Sequence, residues 1–247
     1  MIRVILNGAG GRMGREVEEL LLSGDGDAIL TAAVDKNAVD VPLKKLVQVT
    51  SEADVIVDFS HHSATNELVA YAIAKRLPLV IATTGHTDEE KALIMETAKN
   101  IPVFFASNFS LGIAVLIEMA KKAVMMFPDA DVEIVEAHHN RKVDAPSGTA
   151  KTIAESLKEV RPQAEFVYGR NGMKKREVNE IGIHALRYGN NPGMHQIIVA
   201  TDSQTITLQH QAESRAVFAD GAITAAKYLV GKQPGLYTMD TMLADVL

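Results

Sequence analysis

The chain has 247 residues, 47% hydrophobic and 23% charged, with 31 acidic against 25 basic side chains and a formal net charge of -6. That is ample apolar material for one large or two small domains, and the net acidity argues against non-specific nucleic-acid binding. There is no cysteine for a disulfide or thiolate-held metal, no apolar run long enough for a membrane span, and no targeting-type apolar segment in MIRVILNGAGG, so a cytoplasmic location is expected.

In chain order, IRVIL (2–6) has the continuous apolar character of a strand buried on both faces. It runs into a glycine-rich turn, NGAGGRMG (7–14), after which Val17, Leu20 and Leu21 recur at helical spacing. Further continuous runs follow at AILTAAV (28–34), ADVIVDF (53–59), LPLVIAT (77–83) and IPVFFAS (101–107). Between them, ATNELVAYAIAK (64–75) and DEEKALIMETAK (88–99) place apolar residues at i, i+3 and i+4 with charges interspersed, as amphipathic helices do. Strands of this kind alternating with helices predict a parallel, doubly wound α/β sheet.

The pattern changes after residue 108. LGIAVLIEMAKKAVMMF (111–127) reads as a long apolar helix stopped by Pro128, and DVEIVEA (131–137) alternates like a half-buried strand. Ser147 is placed to cap a helix running to about Val160. GIHALRY (182–188), HQIIVAT (195–201) and QTITLQHQ (204–211) alternate again, with turn residues between them, which predicts a mixed sheet. AVFADGAITAAKYLV (216–230) reads as a final helix. The expected organisation is a dinucleotide-binding domain over 1–107 and a mixed-sheet α+β domain over 108–215. Residues 216–247 are expected to pack back on the first.

The glycine turn sits between a strand and a helix, where backbone N–H groups and the positive end of the helix can hold a pyrophosphate. Its spacing is irregular, because Met13 occupies the third glycine's place and Gly14 lies one further on. Asp35, ending the second strand, is placed to accept hydrogen bonds from an adenosine ribose, whereas Lys36 would attract a 2′-phosphate. ATTGHT (82–87) and SNFSLG (107–112) follow the fourth and fifth strands, at the edge where open parallel sheets bind ligands. Their small residues suit a nicotinamide. FSHHSAT (59–65) follows a strand as well, and there a capping Ser63 or histidine is the expected role. His184, His195 and His210 are expected to be hydrogen-bonded structural histidines, and no spacing of histidine with carboxylate suggests a metal site.

HHNRKVDAPSGTA (138–150) gathers His138, His139, Arg141 and Lys142 just before Ser147-Gly148-Thr149. A helix N-terminus beside a glycine is an anion site, and the cations upstream add proton donors and positive charge. The stretch suits a small dicarboxylate substrate and a positioned acid for hydride transfer.

Together with GAGGRMG, TTG and NFS-x-G, the stretch E-A-HH-x-x-K-x-DAPSGTA, the later EIGIHALR (180–187), the SR…FA-x-GA segment (214–222) and GLYTMD (235–240) resemble the 4-hydroxy-tetrahydrodipicolinate reductase family, long called dihydrodipicolinate reductase. The resemblance runs the length of the chain. It implies a Rossmann-like domain plus a mixed-sheet domain, a homotetramer, and hydride transfer from NADH or NADPH in diaminopimelate and lysine biosynthesis. By motif it implies that Gly8, Ala9, Gly10, Gly11, Arg12 and Met13 hold the pyrophosphate and that Asp35, with Lys36 beside it, meets the adenosine ribose. Ala82, Thr83 and Thr84, with Ala106, Ser107, Asn108 and Phe109, would contact the nicotinamide side. His138 would take the acid/base position, Lys142 would donate the proton, His139 would contact substrate, and Gly148 and Thr149 would grip a carboxylate. The chain departs from the family at Ala82, where glycine is more usual, in YGNNPGMHQ (188–196), and in a short segment from Asp35 to Glu52. Two other readings compete: a hydride-transfer enzyme acting on another small carboxylate, and a catalytically silent NAD(P)-sensing protein.

Overall fold

The structure is a computed structural model that describes residues 1–23 and 27–245; residues 246 and 247 of the expected C-terminal return lie outside the described residues. In chain order it runs β1 (Ile2–Asn7), α1 (Arg12–Ser23), β2 (Ala28–Val34), β3 (Val55–Asp58), α2 (Thr65–Lys75), β4 (Leu79–Ile81), α3 (Asp88–Thr97) and β5 (Pro102–Phe105). Then come α4 (Leu111–Met126), β6 (Asp131–His138), α5 (Gly148–Val160), β7 (Glu165–Tyr168), β8 (Glu180–Arg187), β9 (Met194–Ala200) and β10 (Thr205–Gln211). The chain closes with α6 (Ala216–Leu229), β11 (Gly235–Tyr237) and α7 (Met239–Ala244). It divides into two compact units, Met1–Ser110 with the chain from Arg215 onward, and Leu111–Ser214.

The first unit holds a six-stranded sheet in the order β11-β5-β4-β3-β1-β2, with every pairing parallel. Ile5, Ile56, Leu79 and Ile81 are almost fully buried and pack with Leu68 and Ala72 of α2 and Ile94 of α3. Burying each large aliphatic side chain stabilises the unit by roughly 1.5–3 kcal/mol. Helix starts follow local chemistry. At α3 the Thr87 hydroxyl accepts from Glu90 N–H at 3.2 Å, and the Glu90 carboxylate accepts from Thr87 N–H at 2.8 Å. Ahead of α2, His61 caps a single 3-10 turn over His62–Ala64 by accepting from Ser63 N–H, the role expected of that loop.

The second unit holds a five-stranded sheet, β10-β9-β6-β8-β7, in which β6 is antiparallel to β9 and parallel to β8. Val132, Ile134, Ile181, Ile183, Ile197 and Val199 project from one face into a core completed by Ile113 and Ile117 of α4 and Ile153 and Leu157 of α5. On the opposite face β10 exposes Thr205, Thr207, Gln209 and Gln211. The molecule is thus a Rossmann-like parallel unit joined to a mixed-sheet α+β unit.

The strands of the first sheet are shorter than their apolar runs. LPLVIAT contributes only Leu79–Ile81 to the ladder and IPVFFAS only Pro102–Phe105, because the trailing residues turn out to form the loops of the ligand-binding edge. β7 and β11 were not expected. The first is a half-exposed EFVY and the second a three-residue edge strand, both too short to carry a period.

Candidate functional site

In the first unit, β1 delivers the chain to the glycine turn at the C-terminal edge of the sheet. Gly8 has φ +82, and a Cβ there would run into the backbone of Phe59 and Ser60 after β3. A Cβ on Gly14, in the first turn of α1, would overlap the Gly8 carbonyl oxygen. The turn therefore folds this tightly only with glycine at both places, and it aims the first N–H groups of α1 outward. Ala9 is buried, while Gly11 and Arg12 are exposed and Met13 is partly so. The backbone exposed at Gly11 and Arg12, at the start of α1, is open to a pyrophosphate.

Asp35 lies across the turn. Its carboxylate accepts from Gly10 N–H at 3.0 Å and from Asn37 and Ala38 N–H, each at 2.8 Å. Partial burial works against its charge, but these N–H groups and the nearby Lys44 hold its pKa below the usual carboxylate value. Lys36 is exposed beside it. At the same edge Asp58, fully buried at the end of β3, pairs with Asn7 Nδ2 at 2.7 Å, Ser60 Oγ at 2.7 Å and Thr83 Oγ1 at 2.6 Å. This one carboxyl ties together the ends of β1, β3 and β4, including Thr83 of the expected nicotinamide loop. Burial raises its pKa, and the three polar neighbours only partly counter that. Ala82 and Thr84 lie on the same loop, Thr84 exposed. After β5, Ala106 and Ser107 lead to Asn108, whose side chain accepts from Ser110 N–H at 2.7 Å, and to Phe109, which is buried.

In the second unit, β6 ends at His138. Its Nδ1 lies 2.7 Å from Glu136 Oε2, and its ring meets that of His195 edge-on, centroids 5.2 Å apart. Glu136 is fully buried. Arg187 donates to both of its oxygens, at 2.8 and 2.7 Å, and Ser147 N–H donates to Oε1 at 3.0 Å. Burial opposes the Glu136 charge, but the bonds from His138, Arg187 and Ser147 prevail and hold its pKa at about 2. Ser147 also caps α5, its hydroxyl accepting from Ala150 N–H at 3.2 Å and lying 3.2 Å from His195 Nε2. Desolvation pushes the His195 pKa down to about 3, so that ring is neutral. Gly148 opens the helix, and a Cβ on it would meet nothing within 4 Å. Thr149, partly buried, follows it. Lys142 Nζ pairs with Asp144 at 3.0 Å on the loop between β6 and α5. His139 N–H donates to Asn191 O at 2.8 Å, and a Cβ on Gly193 would come 3.1 Å from His138 Nε2, so the 188–193 loop packs on the histidine pair.

The stretch singled out from sequence is thus brought together at one end of the second sheet. Glu136 and Arg187 carry no role in the sequence reading, and His195, expected as a hydrogen-bonded structural histidine, lies buried 3.2 Å from the Ser147 hydroxyl. Each occupies a core-facing register, Glu136 in phase with Val132 and Ile134, Arg187 with Ile181 and Ile183, His195 with Ile197 and Val199. A charged or polar residue in an apolar phase was the available signal. Among the described residues no group of His, Asp and Glu is arranged to hold a metal ion, and no helix is long and apolar enough to cross a membrane.

Residues 2–109 match the family model described as "Dihydrodipicolinate reductase, N-terminus", and residues 112–243 match "Dihydrodipicolinate reductase, C-terminus". The 4-hydroxy-tetrahydrodipicolinate reductase of Caldanaerobacter subterraneus subsp. tengcongensis is 46% identical over 248 residues, covering 98% of both chains. That of Clostridium tetani is 44% identical, covering 98% of this chain and 97% of the other. Among solved structures, the dipicolinate-bound dihydrodipicolinate reductase from Paenisporosarcina sp. TG-14 aligns with a TM-score of 0.81 at 28% identity, covering 96% of this chain and 97% of that one.

Proposed function

The chain belongs to the dihydrodipicolinate reductase family; it is an NAD(P)H-dependent oxidoreductase that reduces 4-hydroxy-tetrahydrodipicolinate to tetrahydrodipicolinate in diaminopimelate and lysine synthesis, and we propose the following division of labour among its residues. The first unit carries the cofactor. Gly8 to Met13 and the start of α1 take the pyrophosphate, Asp35 the adenosine ribose, and Ala82–Thr84 with Ala106–Phe109 the nicotinamide side. The cofactor, when bound, supplies a hydride. The reaction also takes up one proton, and the 4-hydroxyl leaves as water.

The second unit carries the substrate. Gly148 and Thr149, at the open N-terminus of α5, grip a carboxylate, and His139 contacts the ring's other side. Lys142 gives the proton that meets the charge left by hydride addition, and His138 acts as acid/base group. The observation that carries this assignment is the convergence, over 138–149, of an imidazole on a buried carboxylate, a lysine and a helix N-terminus open beside Gly148. NAD(P)H consumption with the condensation product of pyruvate and aspartate semialdehyde tests it. Turnover of that substrate is expected. Turnover only of other small carboxylates, or cofactor binding without turnover, would overturn it.

The assembly we propose is a homotetramer formed through the second sheet, in the cytoplasm. It is supported by β10, which leaves a polar strand face open to a partner copy. Sedimentation at the 26.7 kDa of one chain would refute it.

A further inference from the structure

Glu136 belongs to none of the roles above, yet it bonds to His138, Ser147 and Arg187 together. Its Oε2 lies 2.7 Å from His138 Nδ1, its Oε1 accepts from the N–H of the α5 cap Ser147 at 3.0 Å, and Arg187 clamps both oxygens. A buried carboxylate that stays charged is acceptor only, so the proton between it and His138 belongs to the imidazole. The neutral ring then carries hydrogen on Nδ1 and a lone pair on Nε2, which lies against Gly193, so close that a Cβ there would come within 3.1 Å. His195, neutral and edge-on to His138, adds no competing cation.

We propose that Glu136 is a positioning residue: it fixes the tautomer and rotation of His138 so that Nε2 keeps its lone pair for the acid/base role, and through Ser147 it ties the start of α5 to the same carboxylate. Arg187 holds Glu136 in place. The proposal rests on the acid/base role given to His138. Its structural half stands independently of the reaction.

The test uses Glu136→Gln in the full-length protein, read in two ways. Nitrogen-15 NMR of labelled histidine, in mildly alkaline buffer and assigned by comparison with His138→Asn, reports the tautomer. Wild type is expected to show the Nδ1–H form. In the variant the glutamine amide donates to Nδ1, and the Nε2–H form should replace it. Steady-state kinetics should show kcat lower by about 10²-fold, as for a misoriented acid/base group, with NADH affinity unchanged within about twofold. Because Glu136→Gln leaves Arg187 unpaired and can unfold the protein, the double variant Glu136→Gln/Arg187→Gln removes both charges. It should regain stability without regaining kcat or the Nδ1–H tautomer. An unchanged tautomer with kcat within about threefold of wild type in a folded variant overturns the proposal, as does a double variant that recovers kcat. A wild type that shows the Nδ1–H form but never reduces the substrate overturns the reaction assignment instead.

Discussion

Asp58 and Glu136 are both buried carboxyls near the end of a strand, one in each unit; burial pushes both pKa values up, and their partners send them in opposite directions. Asp58 sees only neutral donors, the Asn7 amide and the Ser60 and Thr83 hydroxyls, and its pKa goes up. Glu136 suffers the same desolvation but is met by a guanidinium, an imidazole and a helix-cap N–H, and it is held at about 2. The difference teaches what each unit is built for. The first orders loops around the glycine turn, where a carboxyl met only by neutral donors suffices. The second maintains a fixed charge against the His138 imidazole.

The largest expected effect probes the proton-handling side. Lys142→Met keeps most of the stem but removes the charge, and kcat should fall by about 10²–10⁴ with NADH affinity unchanged. His138→Ala should cost a similar order and alter the pH profile. Activity within about threefold of wild type in a folded Lys142→Met protein would break the contrast.

Next comes stability. At neutral pH Glu136→Gln should cost about 3 kcal/mol, the worth of holding a carboxyl near 2 rather than 4.5, whereas Asp58→Asn should stay within about 1 kcal/mol, both read from denaturant midpoints. The signs in acid follow. A depressed carboxyl contributes stability above its unfolded value of 4.5, and that is lost as pH falls toward 2. Glu180, also held at about 2 by Arg170 and Lys174, acts in the same sense. Asp58, shifted upward, contributes more as pH falls. Amide protection factors in β6 and β8, referred to the intrinsic exchange rate at each pH, should therefore fall on acidification before those in β3 and β4, and the reverse order would refute the contrast.

Gly14→Ala is smaller, about 1–3 kcal/mol, because the Cβ must displace the Gly8 carbonyl. It should weaken NADH binding. The smallest effect is cofactor preference. The Asp35 charge is shared with three backbone N–H groups and Lys36 stands exposed, so kcat/KM for NADH and NADPH should differ by no more than about tenfold.

Legibility follows the same divide. The parallel sheet reads from continuous apolar runs, and the glycine turn from glycines within eight residues of one another. Both signals are local. The Glu136 network is not, since Arg187 lies 51 residues away and His195 stands opposite Glu136 only through the β6–β9 register. Asp58 stayed hidden for the same reason, with Asn7 and Thr83 lying 51 and 25 residues from it. A sequence window sees a charged residue in an apolar phase but not what neutralises it. The bond from Gly10 N–H to Asp35, 25 residues along the chain, is equally invisible to a local window.

The first sheet takes its edge strand β11, Gly235–Tyr237, from beyond the whole second unit, pairing it with Pro102–Phe104. During synthesis the ribosome releases Leu111–Ser214 while that edge is still missing, so the later-encoded unit can close first and the earlier-encoded one must wait, its β5 edge open to wrong partners. A chain released after Ser214 would thus hold a finished second sheet and a first sheet still lacking its edge strand.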